Sequence, residues 1–509
     1  MNGTSLNAAR RARELSEIAG GLRVDLLVVG GGVTGAGVAL DAASRGLSVC
    51  LVEARDLAFG TSRWSSKLVH GGLRYLAHGD VGLAYESAAE RGVLMTTVAP
   101  HLVRALPQVV PLYGGRGGVV LAGLVAGDVL RRAAGTPTSL LPAPRRISAP
   151  ETVALAPGLR RGGLRGGLLG FDGQLVDDAR LVVALARTAA GFGARVLTRV
   201  RALHVHRDGA DVRDERSGAE FGIRARAVVN ATGVWAGELV DSVRLRPSRG
   251  THLVLAADRV DIRHTAVTIP IPGATNRFAL LLPQDDGRVY LGLTDEPVSG
   301  PLPDVPEAPA SDVDFLLDVA SSVLATTLRR DDVLGAFAGL RPLVAGGSAA
   351  TRSADLSRRH AVVTSPSGVV TVVGGKLTTY RRMAADAVDA TGLAGSGSRT
   401  RRIPLVGAAD RHILSTVDAT ERLVFRYGTE AARVAALGAL DPAFSVPVAD
   451  GSMVTAAEVV WAVRHEGALD ADDVLDRRTR IGLVRSDRVA AEPAVTDLVT
   501  RSLTGLSDE

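Results

Sequence analysis

Leu26-Leu27-Val28-Val29-Gly30-Gly31-Gly32-Val33-Thr34-Gly35-Ala36-Gly37 and, a little later, Leu47-Ser48-Val49-Cys50-Leu51-Val52-Glu53 decide the fold. The first four residues are apolar enough for a strand buried on both faces. Gly30, Gly32 and Gly35 follow at G-x-G-x-x-G spacing, small residues from Gly37 to Ala43 continue as a helix, and the next strand ends on the acid Glu53. Such glycines serve a tight turn, close approach of backbone to a pyrophosphate, and close helix–strand packing. The helix N-terminus offers free N–H groups to phosphates. Glu53 stands where a carboxylate can bond a ribose hydroxyl. A lone glycine triplet would also suit a tight turn in another α/β fold. Strand, turn, helix, strand and acid in register point instead to a bound dinucleotide, without separating NAD from FAD.

A chain of 509 residues has room for several domains. Hydrophobic content of 46% with 22% charged residues places it among globular proteins. The segment Ala8 to Ala19 carries arginines and acids where a secretory signal needs an apolar stretch, so a short surface helix is expected there. The longest apolar stretch, Val119 to Val129, is interrupted by Gly123, Gly127 and Asp128 and is too short to span a bilayer. The single cysteine, Cys50, lies mid-strand, which excludes an internal disulfide and a cysteine-rich metal site; it is expected to be a small buried hydrophobe, and no metal is expected. A net charge of +5 suits anionic substrates or an anionic lipid surface. No lysine-rich tail or basic–aromatic stripe suggests a nucleic acid.

Nearly all basic residues are arginine. The two lysines, Lys67 and Lys376, both fall in Ser/Thr/Gly-rich segments, where an ammonium does what a guanidinium cannot. Lys67 belongs to Thr61-Ser62-Arg63-Trp64-Ser65-Ser66-Lys67-Leu68-Val69-His70-Gly71-Gly72-Leu73-Arg74-Tyr75-Leu76, too polar for a core and too apolar for a linker. On a helix, His70 and Arg74 would share a face. Lys376 follows Gly374-Gly375 at the expected start of a helix.

Further strands are expected at Arg195 to His206, Ala227 to Val229, Arg249 to Val254, Arg288 to Leu293 and Val369 to Val373. Helices are expected at Ala84 to Met95 and from Val176-Asp177-Asp178 to Ala190. Gly114 to Gly135 reads as irregular. Gly392 to Thr400 is a Gly/Ser linker, and beyond it the pattern is helical, with a capping box at Thr455 and Glu458.

These segments together resemble the FAD-dependent, aerobic glycerol-3-phosphate dehydrogenase family of the D-amino-acid-oxidase-like flavoproteins, from about Asp25 to Arg480. The resemblance is carried by Val29 to Gly37, Ser65 to Leu76, Val176 to Leu181, Asn230-Ala231-Thr232-Gly233, Gly250-Thr251-His252, Gly339-Leu340-Arg341-Pro342-Leu343 and Gly374 to Arg381. His465-Glu466 and Asp472 to Thr479 resemble the family's terminal domain. Leu293-Thr294 replaces a threonine pair of the family, and Trp64 is bulky for its place.

The resemblance implies an α/β fold: a Rossmann-type FAD-binding domain, discontinuous over 21–100, 165–240 and 341–392, a mixed α+β substrate domain over 101–164 and 241–340, and a C-terminal helical domain over 400–509. It implies FAD as cofactor and oxidation of sn-glycerol 3-phosphate to dihydroxyacetone phosphate, with hydride passing from C2 to flavin N5. Arg74 and Arg341, with Tyr75 and His252, are expected to hold the substrate, since planar guanidinium groups match phosphate oxygens. His252 stands slightly ahead of His70 as the base, with Arg341 and Lys376 also in the reaction centre. Cofactor contacts are expected from Gly30, Gly32, Gly35, Glu53, Thr61, Ser65, Ser66, Lys67, His70, Gly71, Val200, Thr232, Gly233, Gly375, Lys376, Leu377 and Thr378.

A quinone is the expected electron acceptor. The protein is expected to be cytoplasmic and peripheral at the inner face of the plasma membrane, with Arg116, Arg131 and Arg132 flanking the apolar Val119 to Val129; a buried helix flanked by solvated arginines is the plainer reading of that stretch. A homodimer is left open. Competing readings are an amino-acid oxidase or dehydrogenase of the same fold, an NAD-dependent dehydrogenase, and a flavin-binding protein without enzymatic activity.

Overall fold

The computed structural model describes residues 3–72, 75–76, 79–114, 117–271, 273, 277–344 and 359–507. Val24–Val29 is the strand around which the first half of the molecule is ordered. It pairs in parallel with Val49–Glu53 on one side and with Glu220–Asn230 on the other. Neighbours on both edges and helices above leave no solvent face beyond Asp25, which is why Leu26 to Val29 are apolar without alternation. The sheet continues through Arg195–Thr198 beyond Val49–Glu53, and through Val370–Val373 and Ala361–Thr364 beyond Glu220–Asn230. Arg199, with φ +57°, breaks the expected single strand into Arg195–Thr198 and Val200–His206.

Helix Val33–Ser44 packs between helices Asp178–Gly191 and Tyr380–Ala390. The packing is close: a Cβ on Gly37 would lie 2.9 Å from the Tyr380 ring. The fingerprint turn is equally tight. Gly30 has φ +109°, and a Cβ on Gly35 would lie 1.8 Å from the Gly30 carbonyl oxygen. Both positions therefore require glycine. Cys50 is fully buried opposite Leu27, as its mid-strand place suggests.

A second sheet of ten strands stands beside the first. Among the described residues it runs Glu296–Pro297, Ser248–Ala256, Arg288–Gly292, Phe278–Pro283, Ala266–Pro270, Val103–Pro111, Gly167–Leu175 and Leu68–Val69, with Val333–Arg341 also paired to Ser248–Ala256 and Arg145–Ile147 to Gly167–Leu175. The segment drawn as 165–240 thus begins on this second sheet, because Gly167–Leu175 pairs along its whole length with Val103–Pro111.

His70 follows the short strand Leu68–Val69 outside any helix, and Arg74, which would share its face on a helix, lies outside the described residues. One local expectation fails. Gly117–Ala133 is a helix rather than an irregular stretch. Each glycine in a helix costs about 1 kcal/mol relative to alanine, and here tertiary packing offsets it: Leu124 lies over Gly170 of the second sheet. The helix is not buried either, since Val119, Val125 and Val129 remain 76%, 48% and 58% exposed.

Beyond residue 400 the chain is helical, with Glu421–Tyr427, Ala431–Leu440, Ala456–His465 and Arg485–Ser507 as the main elements. The expected capping box forms, Glu458 accepting from the Thr455 amide at 3.1 Å. Ion pairs fasten this domain to helix Asp178–Gly191, through Arg180 to Glu466 and Arg187 to Glu430, and to the edge of the first sheet, through Arg199 to Asp473. Among the described residues no helix is long and apolar enough to cross a membrane.

Candidate active site

A cavity of about 1070 Å³ runs between the two sheets from the fingerprint turn to the Gly117–Ala133 helix. That is the upper end of the size of single-ligand pockets, as a dinucleotide with a small substrate beside it requires. One end is built from backbone. Gly30, Gly32, Val33 and Thr34 line it, and helix Val33–Ser44 has no side-chain cap on its first turn beyond Ser62, whose Oγ accepts from the Val33 amide at 2.9 Å. Glu53 stands beside this turn, its carboxylate oxygens accepting from the Gly31 and Arg55 amides at 2.6 and 2.8 Å. Burial pushes the Glu53 carboxyl up from its ordinary value, and those two amides oppose the shift. Thr61, Val200, Thr232 and Gly233 complete this wall. Gly35 lies beneath the turn and shapes it without lining the cavity.

The other end is built from side chains on separate segments. His70, His252, Arg341 and Lys376 all line it, with Ser65, Ser66, Gly375, Leu377 and Thr378. Strand positions opposite these groups are kept small: a Cβ on Gly250 would lie 2.1 Å from the Arg341 guanidinium, and one on Gly292 would lie 2.2 Å from the His252 ring. Arg341 Nη1 is 3.3 Å from both Asp295 and Ser248, and Nη2 donates to the Thr294 carbonyl at 3.2 Å. The Lys376 ammonium sits 3.9 Å from the centroid of the Tyr75 ring. Tyr75 is itself buried, is not among the residues lining the cavity, and faces the Lys376 ammonium with its ring.

The two histidines differ sharply. His252 is buried, stacked on Phe337 with centroids 4.8 Å apart, and its Nε2 is 2.8 Å from Ser66 Oγ. Burial, then the charges of Lys67 and Arg341, push its pKa down to about 3, so the ring stays neutral. His70 is 43% exposed by side chain, and its Nδ1 is 3.2 Å from Asp172. Burial opposes ionisation of Asp172, but Arg91 and His70 hold its carboxyl down at about 2, so it remains a carboxylate.

Lys67 does not reach the cavity. Its ammonium is buried, paired with Asp178 at 2.8 Å and donating to the Arg63 carbonyl at 2.6 Å. Asp178 also accepts from the Ser65 amide and hydroxyl, so the lysine is a strut that holds the Ser65-Ser66 segment against helix Asp178–Gly191. A compact ammonium suffices for the two partners that meet it there, the Asp178 carboxylate and the Arg63 carbonyl. Gly71 is also set back; its amide donates to Asp172 at 3.2 Å, and a Cβ would meet Arg91 at 2.4 Å. Arg74 lies outside the described residues, as does Arg116.

Asp172, Arg277 and Asp295 line the cavity although sequence reasoning assigned them no role. Asp172 and Arg277 carry no local motif. Asp295 follows the Leu293-Thr294 pair already set apart from the family pattern; its contact with Arg341, on a different strand, comes from the tertiary structure.

The comparisons with known proteins bear on the whole of this arrangement. Residues 25–381 match the family model described as FAD dependent oxidoreductase, and residues 398–508 match the C-terminal domain of alpha-glycerophosphate oxidase. The chain belongs to the FAD-dependent glycerol-3-phosphate dehydrogenase family. It is 55% identical to glycerol-3-phosphate dehydrogenase 1 of Mycobacterium tuberculosis, over 98% of this chain and 99% of that one. It is 35% identical to a mitochondrial glycerol-3-phosphate dehydrogenase of Arabidopsis thaliana, over 92% and 81%. Among solved structures it resembles the glycerol-3-phosphate dehydrogenase of Bacillus halodurans complexed with FAD, with a TM-score of 0.76 at 26% identity, covering 99% of this chain and 97% of that one. FAD is the cofactor of the family. The residues present fit it: a Cβ-intolerant turn, an open helix N-terminus and a fixed carboxylate at the end of the second strand.

Proposed function

We propose that the protein oxidises sn-glycerol 3-phosphate to dihydroxyacetone phosphate at the end of the cavity lined by His70, His252, Arg341 and Lys376. The convergence of two cations and a carboxylate-oriented histidine on one wall of an FAD cavity carries this reading. The names of the relatives agree with it. FAD, when bound, supplies the hydride acceptor at N5.

Arg341 binds the substrate phosphate. Its guanidinium is held by Asp295 and Ser248 and presents a planar fork to oxygen anions. Lys376 adds positive charge to the same wall, its ammonium stabilised by the face of Tyr75. His70 takes the C2 hydroxyl proton. Asp172 faces its Nδ1, which orients the ring and leaves Nε2 as the atom that receives the proton. His252 holds a neutral imidazole beside Ser66 and positions the substrate by hydrogen bonding; its depressed pKa makes it the poorer proton acceptor. This reverses the order in which the sequence ranked the two histidines.

Electrons leave for a quinone, and the protein works from the cytoplasm at the inner face of the plasma membrane. The exposed apolar face of Gly117–Ala133, a helix that also lines the cavity, supports this reading. Arg131 takes no part in it, being buried and paired with Asp128 at 2.7 Å. Arg132, also paired with Asp128, is exposed. Anionic vesicles should bind the protein, and Val125→Asp with Val129→Asp should abolish binding. Full binding by that double variant would remove the helix from the reading.

The visible spectrum tests the reaction. Anaerobic glycerol 3-phosphate should bleach the oxidised flavin, and glycine or proline should not. Bleaching by an amino acid, with none by glycerol 3-phosphate, would overturn the assignment.

A further inference from the structure

No described residue beyond Met383 lines the cavity, so the whole C-terminal domain stands apart from the bound groups. It nevertheless reaches the segment next to Glu53. Asp56 is buried, and both its carboxylate oxygens are taken by that domain: Arg477 Nε donates to Oδ2 at 2.7 Å, and Arg478 donates to Oδ2 and Oδ1 at 2.8 and 2.9 Å. Arg478 is in turn tied to the Glu466 carbonyl at 3.0 Å, and Arg477 to Asp473 at 2.6 Å. Burial opposes ionisation of Asp56, but the two guanidinium groups hold its carboxyl well below the usual range.

What Asp56 fixes is cavity wall. Ala54, Arg55, Phe59, Gly60 and Thr61 all line the cavity beside Glu53. The loop turns on Asp56, whose carbonyl accepts from the Phe59 amide at 3.1 Å. It closes on the fingerprint itself, the Ala58 amide donating to the Gly31 carbonyl at 3.0 Å. Ala58 has φ +62°, a conformation that a non-glycine residue holds only when its surroundings impose it. The Arg477 guanidinium also lies 5.8 Å from the Phe59 ring centroid.

We propose that the C-terminal domain is a clamp on the cofactor: Arg477 and Arg478, by gripping Asp56, hold the 54–61 loop in the shape that retains the adenosine end of FAD. They are positioning residues that touch neither substrate nor cofactor. The inference rests on placing the adenosine beside Glu53. Any coupling of this kind is reciprocal, so bound FAD must also steady the arginine segment.

The test is FAD affinity, measured on the full chain by quenching of flavin fluorescence. Arg478→Ala and Arg477→Ala should each raise the FAD dissociation constant about tenfold or more, and Arg478→Lys should recover part of the loss. Glu430→Gln, which loosens the same domain at Arg187 and away from Asp56, is the control and should leave FAD affinity near that of the parent. Unchanged affinity in both arginine variants, or an equal loss in Glu430→Gln, overturns the clamp. Glu53→Ala separates the two readings: if it leaves affinity unchanged the adenosine placement fails, and if it weakens FAD while Arg478→Ala does not, the clamp alone fails. Should the arginine variants not fold, hydrogen exchange on the parent protein decides. Adding FAD to the apoprotein should slow exchange at residues 473–480 as well as 53–61, with helix Ala456–His465 unaffected. Protection confined to 53–61 overturns the proposal.

Discussion

The two ends of the cavity are made in opposite ways. At the fingerprint end, one contiguous stretch from Val29 to Glu53 supplies backbone amides, a helix N-terminus whose side-chain cap is Ser62 on the Val33 amide, and one carboxylate. At the other end, His70, His252, Arg341 and Lys376 arrive from four segments, and each depends on a neighbour that does not itself react: Asp172, Ser66, Asp295 and Tyr75. At Gly30 and Gly35 the first end tolerates no added atoms, because the opposing groups are backbone and cannot move aside. The second is held by the charge and hydrogen bonding of its side chains, with Gly250 and Gly292 kept small opposite Arg341 and His252.

The largest effect should come from the backbone-built end. Gly35→Val places carbon within 1.8 Å of the Gly30 carbonyl oxygen, and no flexible group can yield. The purified variant should carry no flavin; a yellow protein with parental affinity would break the contrast between the two ends. At the side-chain end, His70→Asn should lower kcat by about 10²–10⁴, the usual contribution of a positioned base, with FAD still bound. His252→Asn should act mainly on KM. Stopped-flow measurement of flavin reduction distinguishes them, and the reverse pattern would return the base to His252. Arg341→Ala should cost roughly 1.5–3 kcal/mol, or about one to two decades in kcat/KM, with rescue by high substrate concentration.

The smallest effect sharpens the picture of buried histidines. Burial, then the charge of Arg180, holds His101 down at about 3, and it lies outside the cavity. Its folded pKa is below the ordinary 6.5, so the unfolded chain takes up the proton first as pH falls. Its contribution to stability is complete above about pH 6.5 and is lost toward about pH 3, at about 1.4 kcal/mol per pH unit. His252 and His465 act in the same direction. Urea unfolding of His101→Leu should show a shallower loss of stability between pH 7 and 5 than the parent. An identical slope would mean that His101 is protonated in the folded protein.

Lys67 and Lys376 show how far motif reading carries. Both were singled out by scarcity and by polar, glycine-bearing surroundings, and only Lys376 lines the cavity. Lys67 is committed to Asp178, which follows it by more than a hundred residues, and no local pattern announces that pairing. The irregular reading of Gly117 to Gly135 fails for the same reason, since helix formation there rests on packing over Gly170.

By itself, the sequence determined the dinucleotide cradle, the parallel strands around it and the helical end of the chain. Those features depend on short-range rules: glycine spacing, apolar runs, caps and a strand-end acid within about thirty residues of one another. Tertiary structure alone decided which histidine faces a carboxylate and which is buried on Phe337, which lysine reaches the cavity, and that arginines near residue 478 grip the loop beside Glu53. Proton affinity and charge pairing are set by whatever packs within a few ångströms, and here those neighbours come from distant parts of the chain.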